Sequence, residues 1–245
     1  MTARTFFGCL FIAFGPSMAM FYFTIVQHPI RVIILVVGAF FWLMSLLLSA
    51  LLWLAVVPLK AELAFSLIFS VLFQELMRFA LFKLLSKAEA GLGYALTEEE
   101  KRSITGHRLS YVLGFGFGLM DGCFSIVNVL DLASGPGNVG LSSLSDNFFI
   151  ESAFLTNCFI LLHICWNVIT FKLLKDKHYI QCSALVALHA VCSCVTLFNT
   201  QYNLAYVSLI VSYLALLFSS SWAFKIAGGS MRNIRMFVAA SLSFA

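Results

Sequence analysis

Residues 32–57 read VIILVVGAFFWLMSLLLSALLWLAVV, and no charged side chain interrupts them. A bilayer core is crossed by about 20 apolar residues in helical form, so this run predicts a transmembrane helix. Pro58 closes it and Pro29 stands just before it. Outward from there, similar runs recur along the chain, with spans at roughly 5–26, 31–57, 61–85, 108–132, 148–171, 179–199 and 204–227. The fold class that follows is all-α, a polytopic membrane protein with seven transmembrane helices, forming a single domain over residues 1–245. Pro29, Pro58 and Pro136 fall between spans, where a helix must break anyway. Pro16 lies inside the first span and predicts a kink there. That span also starts like a signal peptide, with Arg4 before an apolar run. It is too long for an h-region and lacks a small-residue cleavage site, so it reads as the first helix.

Composition agrees. The chain is 61% hydrophobic and 11% charged, with a mean hydropathy of +0.97. Soluble domains are about 45–50% apolar and about 25% charged, and no polar stretch here reaches domain size. The net charge of +4 is small and scattered, which excludes a nucleic-acid partner. The seven cysteines sit in apolar segments without zinc or redox spacing, and read as small membrane-buried hydrophobes.

Lys and Arg near the span ends set the orientation. With the N-terminus outside, twelve lie on the cytosolic side, from Arg31 to Arg235. Only Arg4 and Lys60 lie outside, and Arg78 is within a span. The chain therefore reads as N-out and C-in. The polar stretch from Ser86 to His107, with its Glu98–Arg102 charge run, reads as a solvated cytosolic loop. Ser134-Gly135-Pro136-Gly137-Asn138 opens the longest outside loop. No 20–50-residue period and no inverted repeat of the transporter kind is visible.

Four features inside the spans call for partners. Gly114, Gly118 and Gly122 recur every four residues and Ser125 extends the row, so one helix face is smooth enough for a second helix to approach closely. That second helix could belong to this chain or to another. His163 and His189 are histidines at membrane depth, which need a polar partner or a cavity. Two are too few for a metal site. In the N-out topology they lie at matching depth on antiparallel spans five and six, so they are expected to face each other or a common cavity. Glu75 and Arg78 stand i, i+3 on one helix face and can neutralise each other. Arg78 is close enough to Lys83 that it could also reach the cytosolic boundary. Asp121, beside the glycine row, must be neutral or hydrogen-bonded. It has no second free carboxylate with which to form the dyad of an intramembrane aspartyl protease, and Gly118-Leu119-Met120-Asp121 is not Gly-x-Gly-Asp. No catalytic site and no cofactor is expected.

Taken in order, several blocks resemble the anterior-pharynx-defective family, the seven-span scaffold subunit of γ-secretase. They are Phe6-Phe7-Gly8-Cys9, Phe14-Gly15-Pro16, the Pro29–Ser49 stretch, Gln74-Glu75 with Arg78-Phe79, the glycine run of span four, Val127-Asn128-Val129-Leu130 and Ser134-Gly135-Pro136-Gly137. His163 before Trp166, His189, and Ala227-Gly228-Gly229-Ser230 complete the set. The resemblance implies an N-out scaffold without protease activity of its own, whose partners are presenilin, nicastrin and the presenilin-enhancer subunit besides membrane lipid. It further implies support for cleavage of Notch-type and amyloid-precursor-type proteins. The compartments it implies are the endoplasmic reticulum, Golgi, endosome and plasma membrane. Asp121, where the family has a small polar residue, and the apolar tail from Met236 to Ala245 are departures. The rival reading is a transporter or receptor that uses Glu75, Asp121, His163 and His189 as a proton or ligand path.

Overall fold

The computed structural model describes residues 3–56, 63–95, 106–134, 147–201, 204–230 and 232. Among them the regular elements are helices: α1 (Ala3–Thr24), α2 (Pro29–Ala55), α3 (Leu63–Ala95), α4 (His107–Ser134), α5 (Phe148–Lys175), α6 (Tyr179–Val195), the short α7 (Leu197–Gln201) and α8 (Ala205–Ile226). Seven stretches are long and apolar enough to cross a membrane, and α7 falls at the end of the sixth.

Local chemistry accounts for the ends. His28 precedes a proline and is held extended at φ −124° and ψ 103°, while Pro29 occupies the first turn of α2, where a missing N–H is no loss. At the end of α5, Lys177 adopts φ 60°. The amides of Lys177 and His178 bond back to the carbonyls of Leu174 and Leu173 at 3.3 and 2.9 Å, satisfying two of the last free carbonyls. α8 ends on the same motif, with Gly228 at φ 82°. One boundary corrects the sequence reading: Ser86–Ala95 is not loop but the continuation of α3. Its Leu, Lys, Ala and Glu residues favour helix, and no proline stops it. Pro16 lies inside α1 as expected. The Glu98–Arg102 run, Pro58, the Gly135–Asn138 turn and the tail from Met236 lie outside the described residues.

Two helices form the centre. In the spanning windows of α4 and α5, 56% and 50% of residues are buried, against 17–22% in the other five. α4 packs between α2 and α5, and α5 in turn contacts α1, α6 and α8, while α3 lies against α2 and α6. The outer faces carry large apolar side chains such as Phe11, Ile180 and Leu217. Such a surface suits acyl chains and would aggregate in water.

Candidate functional site

The site begins with the glycines of α4. At about 100° per residue, Gly114, Gly118 and Gly122 share one face while Gly116 points nearly opposite. The backbone follows that geometry on both sides. A Cβ on Gly114 would stand 2.6 Å from Asn167 Cβ, and one on Gly118 would stand 2.6 Å from the Ile160 carbonyl oxygen. On Gly122 it would come within 2.6 Å of the Ile160 side chain. All three therefore hold α5. A Cβ on Gly116 would strike the Leu35 carbonyl, and one on Gly38 of α2 would strike the Leu113 carbonyl, so that opposite face holds α2. α4 is gripped by close backbone approach from two sides, where dispersion contacts accumulate without help from the hydrophobic effect.

This tight packing brings five helices around one polar core. Arg78 of α3 is fully buried and forms an ion pair with Glu75 one turn earlier. Its other terminal nitrogen lies 2.9 Å from Nδ1 of His163 on α5, and its guanidinium stacks 5.0 Å from the Phe117 ring centroid on α4. Glu75 Oε1 also meets Nδ1 of His189 on α6, at 2.7 Å. The two imidazoles stand edge to face with centroids 5.2 Å apart, and Trp166 lies 4.4 Å from His189. Asp121 of α4 completes the group. Trp42 of α2 donates its Nε1–H to Asp121 Oδ1 at 3.2 Å, and His163 Nε2 lies 3.5 Å from Oδ2.

The donors fix the tautomers. A guanidinium can only donate, so His163 Nδ1 accepts and a neutral His163 carries its proton on Nε2, toward Asp121. The ion-paired Glu75 can only accept, so His189 donates through Nδ1. The guanidinium pairs with Glu75, and the His163 ring stands between it and the second carboxylate, Asp121. Such a network, spread over five helices, ties their relative positions more tightly than apolar packing alone could.

A cavity of about 530 Å³ adjoins the network. Asp121, His163, His189 and Gln74 line it, and Ser66, Ser152 and Thr196 mark the helix ends toward which it extends. Those three stand near the start of α3, the start of α5 and the end of α6, so the cavity runs to one face of the bundle.

A family model described as Aph-1 protein matches residues 4–230. The chain belongs to the Aph-1 family. Its relatives include "Gamma-secretase subunit Aph-1b" of Danio rerio, 45% identical over 96% of this chain and 93% of that protein. "Gamma-secretase subunit Aph-1" of Drosophila melanogaster is 44% identical over 97% and 99%. "Gamma-secretase subunit aph-1" of Caenorhabditis elegans is 28% identical over 92% and 81%. The resemblance read from the sequence blocks is thus a family membership.

Within this Aph-1 chain, the structure brings together Glu75, Arg78, Asp121, His163 and His189, and changes three details. Arg78 does not reach the boundary at Lys83; it turns inward, because His163 and Phe117 offer it partners at its own depth. The histidines face each other, yet each spends its Nδ1 on the Glu75–Arg78 pair. The glycine row offers no face to a second protein, because α5 already fills it. Ser125, beyond the row, is exposed and donates to the Asp121 carbonyl at 2.7 Å. Sequence reasoning missed Trp42, Phe117, Gly38 and Gly116. The spacing Gly114-Phe115-Gly116 held the signal for a second face, since residues two apart on a helix point nearly opposite ways. Among the described residues no group of three or more His, Cys, Asp or Glu side chains is placed so that it could hold a metal ion.

Proposed function

We propose that this chain is the non-catalytic scaffold subunit of a γ-secretase-type intramembrane aspartyl protease. In that role it stabilises presenilin and, with nicastrin and the presenilin-enhancer subunit, supports cleavage of single-span membrane proteins such as Notch-type receptors and amyloid-precursor-type proteins. The observation that carries the reading is likeness over nearly the whole chain to proteins named as γ-secretase subunits. The structure gives the role a physical basis. A bundle locked by α4 and tied through one polar core can present a fixed surface to other membrane helices. Both carboxylates of the polar core, Glu75 and Asp121, are committed to Arg78, His189 and Trp42, which suits a stabilising network and not an acid–base pair. Gly114, Gly118 and Gly122 serve by holding the scaffold together. Affinity purification of the tagged chain in mild detergent tests this, with presenilin, nicastrin and the presenilin-enhancer subunit expected in stoichiometric amounts. Their absence under conditions that retain an authentic Aph-1 complex would refute the role.

The proposal includes the N-out, C-in orientation and residence in the endoplasmic reticulum, Golgi, endosomes and plasma membrane. Arg108, Lys172 and Lys225 stand at helix ends, and Lys83 near the end of the α3 spanning stretch Ala64–Ala88, all of which alternation puts on one face of the bundle, and this supports that orientation. Tags at the C-terminus and between residues 96 and 105 should resist external protease in intact cells. Digestion of either tag would reverse the assignment.

A further inference from the structure

The cavity beside the polar core has a lining that the locked network does not use. Polar residues recur one helical turn apart on three of its walls: Ser70 and Gln74 on α3, Asp121 and Ser125 on α4, Ser152 and Thr156 on α5. Several of its hydroxyls are turned by bonds within their own helices. Ser125 donates to the Asp121 carbonyl at 2.7 Å, Thr156 to the Ser152 carbonyl at 2.8 Å, and Thr196 to the Ser193 carbonyl at 2.6 Å. Their protons are thereby spent, and oxygen lone pairs remain for a guest. Gln74 adds a further acceptor: it is 9% exposed, and its Oε1 has no hydrogen-bond partner. A polar atom buried in that state is costly unless something occupies the space beside it. Asp121 also has capacity left. An ionised carboxylate accepts about four hydrogen bonds; Trp42 supplies one at 3.2 Å, and His163 Nε2 stands 3.5 Å from the other oxygen. No lysine or arginine is among the described residues lining the cavity. Oxygen lone pairs gathered around a carboxylate repel anions and suit a hard cation. A divalent ion beside a single lining carboxylate would leave excess charge at membrane depth, which is expensive. A single positive charge is the better match.

We propose that the inner end of this cavity binds a monovalent alkali cation, with Asp121 as its counter-charge. The Gln74 carboxamide oxygen and the lining hydroxyls complete its shell, directly or through water. The volume of about 530 Å³ lets the ion keep part of its hydration. One carboxylate with neutral oxygens needs no cluster of His, Cys, Asp or Glu. In the N-out orientation proposed above, the cavity opens to the outside; the site itself does not depend on that orientation. Because the site is assembled only when α3 and α4 are in place, the bound ion stabilises the folded bundle by mass action.

The test uses the full-length chain purified in detergent and exchanged into choline chloride, whose methyl-shielded charge oxygen atoms cannot coordinate. Radiolabelled sodium is then titrated in at constant ionic strength. Saturable binding of one ion per chain is expected, competed by unlabelled sodium or potassium and not by choline. The melting midpoint should rise as sodium replaces choline. Asp121→Asn should weaken binding by at least about tenfold, as losing one charged contact implies, and should remove the rise. Gln74→Leu takes away the carboxamide oxygen at similar volume and should weaken binding as well. Each variant is compared with its own midpoint in choline, so a chain that is merely less stable is told from one that no longer binds the ion. Ser125→Ala, at an exposed side chain, should lower the affinity less than either. A cavity that holds only water would give no saturable binding and a midpoint indifferent to the cation, and would overturn the proposal. Binding that is unchanged in Asp121→Asn would overturn it too, as would displacement by calcium or magnesium at lower concentration than by sodium.

Discussion

Gly116→Ala and Gly118→Ala are each expected to collapse the scaffold, lowering the thermal midpoint of the purified chain sharply and removing presenilin from the purified material. The added methyl is small, but what it meets is backbone. At position 116 it would run into the Leu35 carbonyl and stand 3.0 Å from the Ala39 amide nitrogen. At position 118 it would stand 2.6 Å from the Ile160 carbonyl oxygen and 3.0 Å from His163 Cβ. A side chain can rotate away from such a contact; a helix backbone cannot. The only relief is to separate α4 from α2 or α5, losing the dispersion contacts along the whole interface. Overpacking of this kind costs about 1–3 kcal/mol and occasionally more, and a two-helix displacement belongs at the upper end. Gly8→Ala is the matched control, because nothing lies within 4 Å of the Cβ it would add. If all three variants melt and assemble alike, close backbone approach is not what holds the bundle.

The second large effect is expected at the ion pair. Arg78→Met removes the guanidinium that neutralises Glu75 and leaves that buried carboxylate facing only His189 among the described residues. Breaking a buried pair in this way costs about 3–5 kcal/mol, because an uncompensated charge remains. Glu75→Gln combined with Arg78→Met should recover a large part of that loss, and the recovery distinguishes a charge effect from a packing effect at Phe117. The histidines sit at the two ends of the same pair, so His163→Ala and His189→Ala should be non-additive. Each alone should be milder, since an interhelical hydrogen bond in a membrane averages about 0.6 kcal/mol. Asp121→Asn keeps an acceptor for Trp42 and should leave assembly near normal, while Asp121→Leu should impair it. Additive histidine effects, or an Arg78→Met chain as stable as the parent, would contradict the network. The readout is the denaturation midpoint in detergent, with recovery of presenilin as the functional measure.

Much of this was legible in the sequence, for reasons that differ from feature to feature. The spans could be read because the bilayer sets one length scale and excludes charge, and a stretch such as 32–57 meets both conditions without any tertiary knowledge. Glu75, Arg78, Asp121, His163 and His189 could be picked out because ionisable side chains at membrane depth are costly without partners. How they pair was only partly legible. The i, i+3 spacing of Glu75 and Arg78 is a local fact, and equal depth on antiparallel helices brought His163 opposite His189. That α3 should lie where Arg78 reaches His163 depends on how α3 packs, which no local pattern encodes. Trp42 was hidden for a related reason: an indole in an apolar run looks like any other large hydrophobe until its N–H is found on a carboxylate. The glycine row announced close packing but not the identity of the packed helix, because an α5 of this chain and a helix of another present the same surface to it. Lys177 was equally hidden, since lysine carries no sign of a left-handed backbone.

The central claim, a scaffold that a protease complex needs but that does no chemistry itself, is tested most directly by reconstitution. Cells lacking their own Aph-1 proteins would receive this chain, and the isolated membranes would be assayed for intramembrane cleavage of a Notch-type substrate. The account predicts that cleavage returns, that it is abolished when the presenilin aspartates are replaced, and that Gly118→Ala fails to restore it. Membranes in which presenilin, nicastrin and the presenilin-enhancer subunit assemble and cleave equally well without this chain would contradict the claim, as would cleavage that persists when the presenilin aspartates are gone.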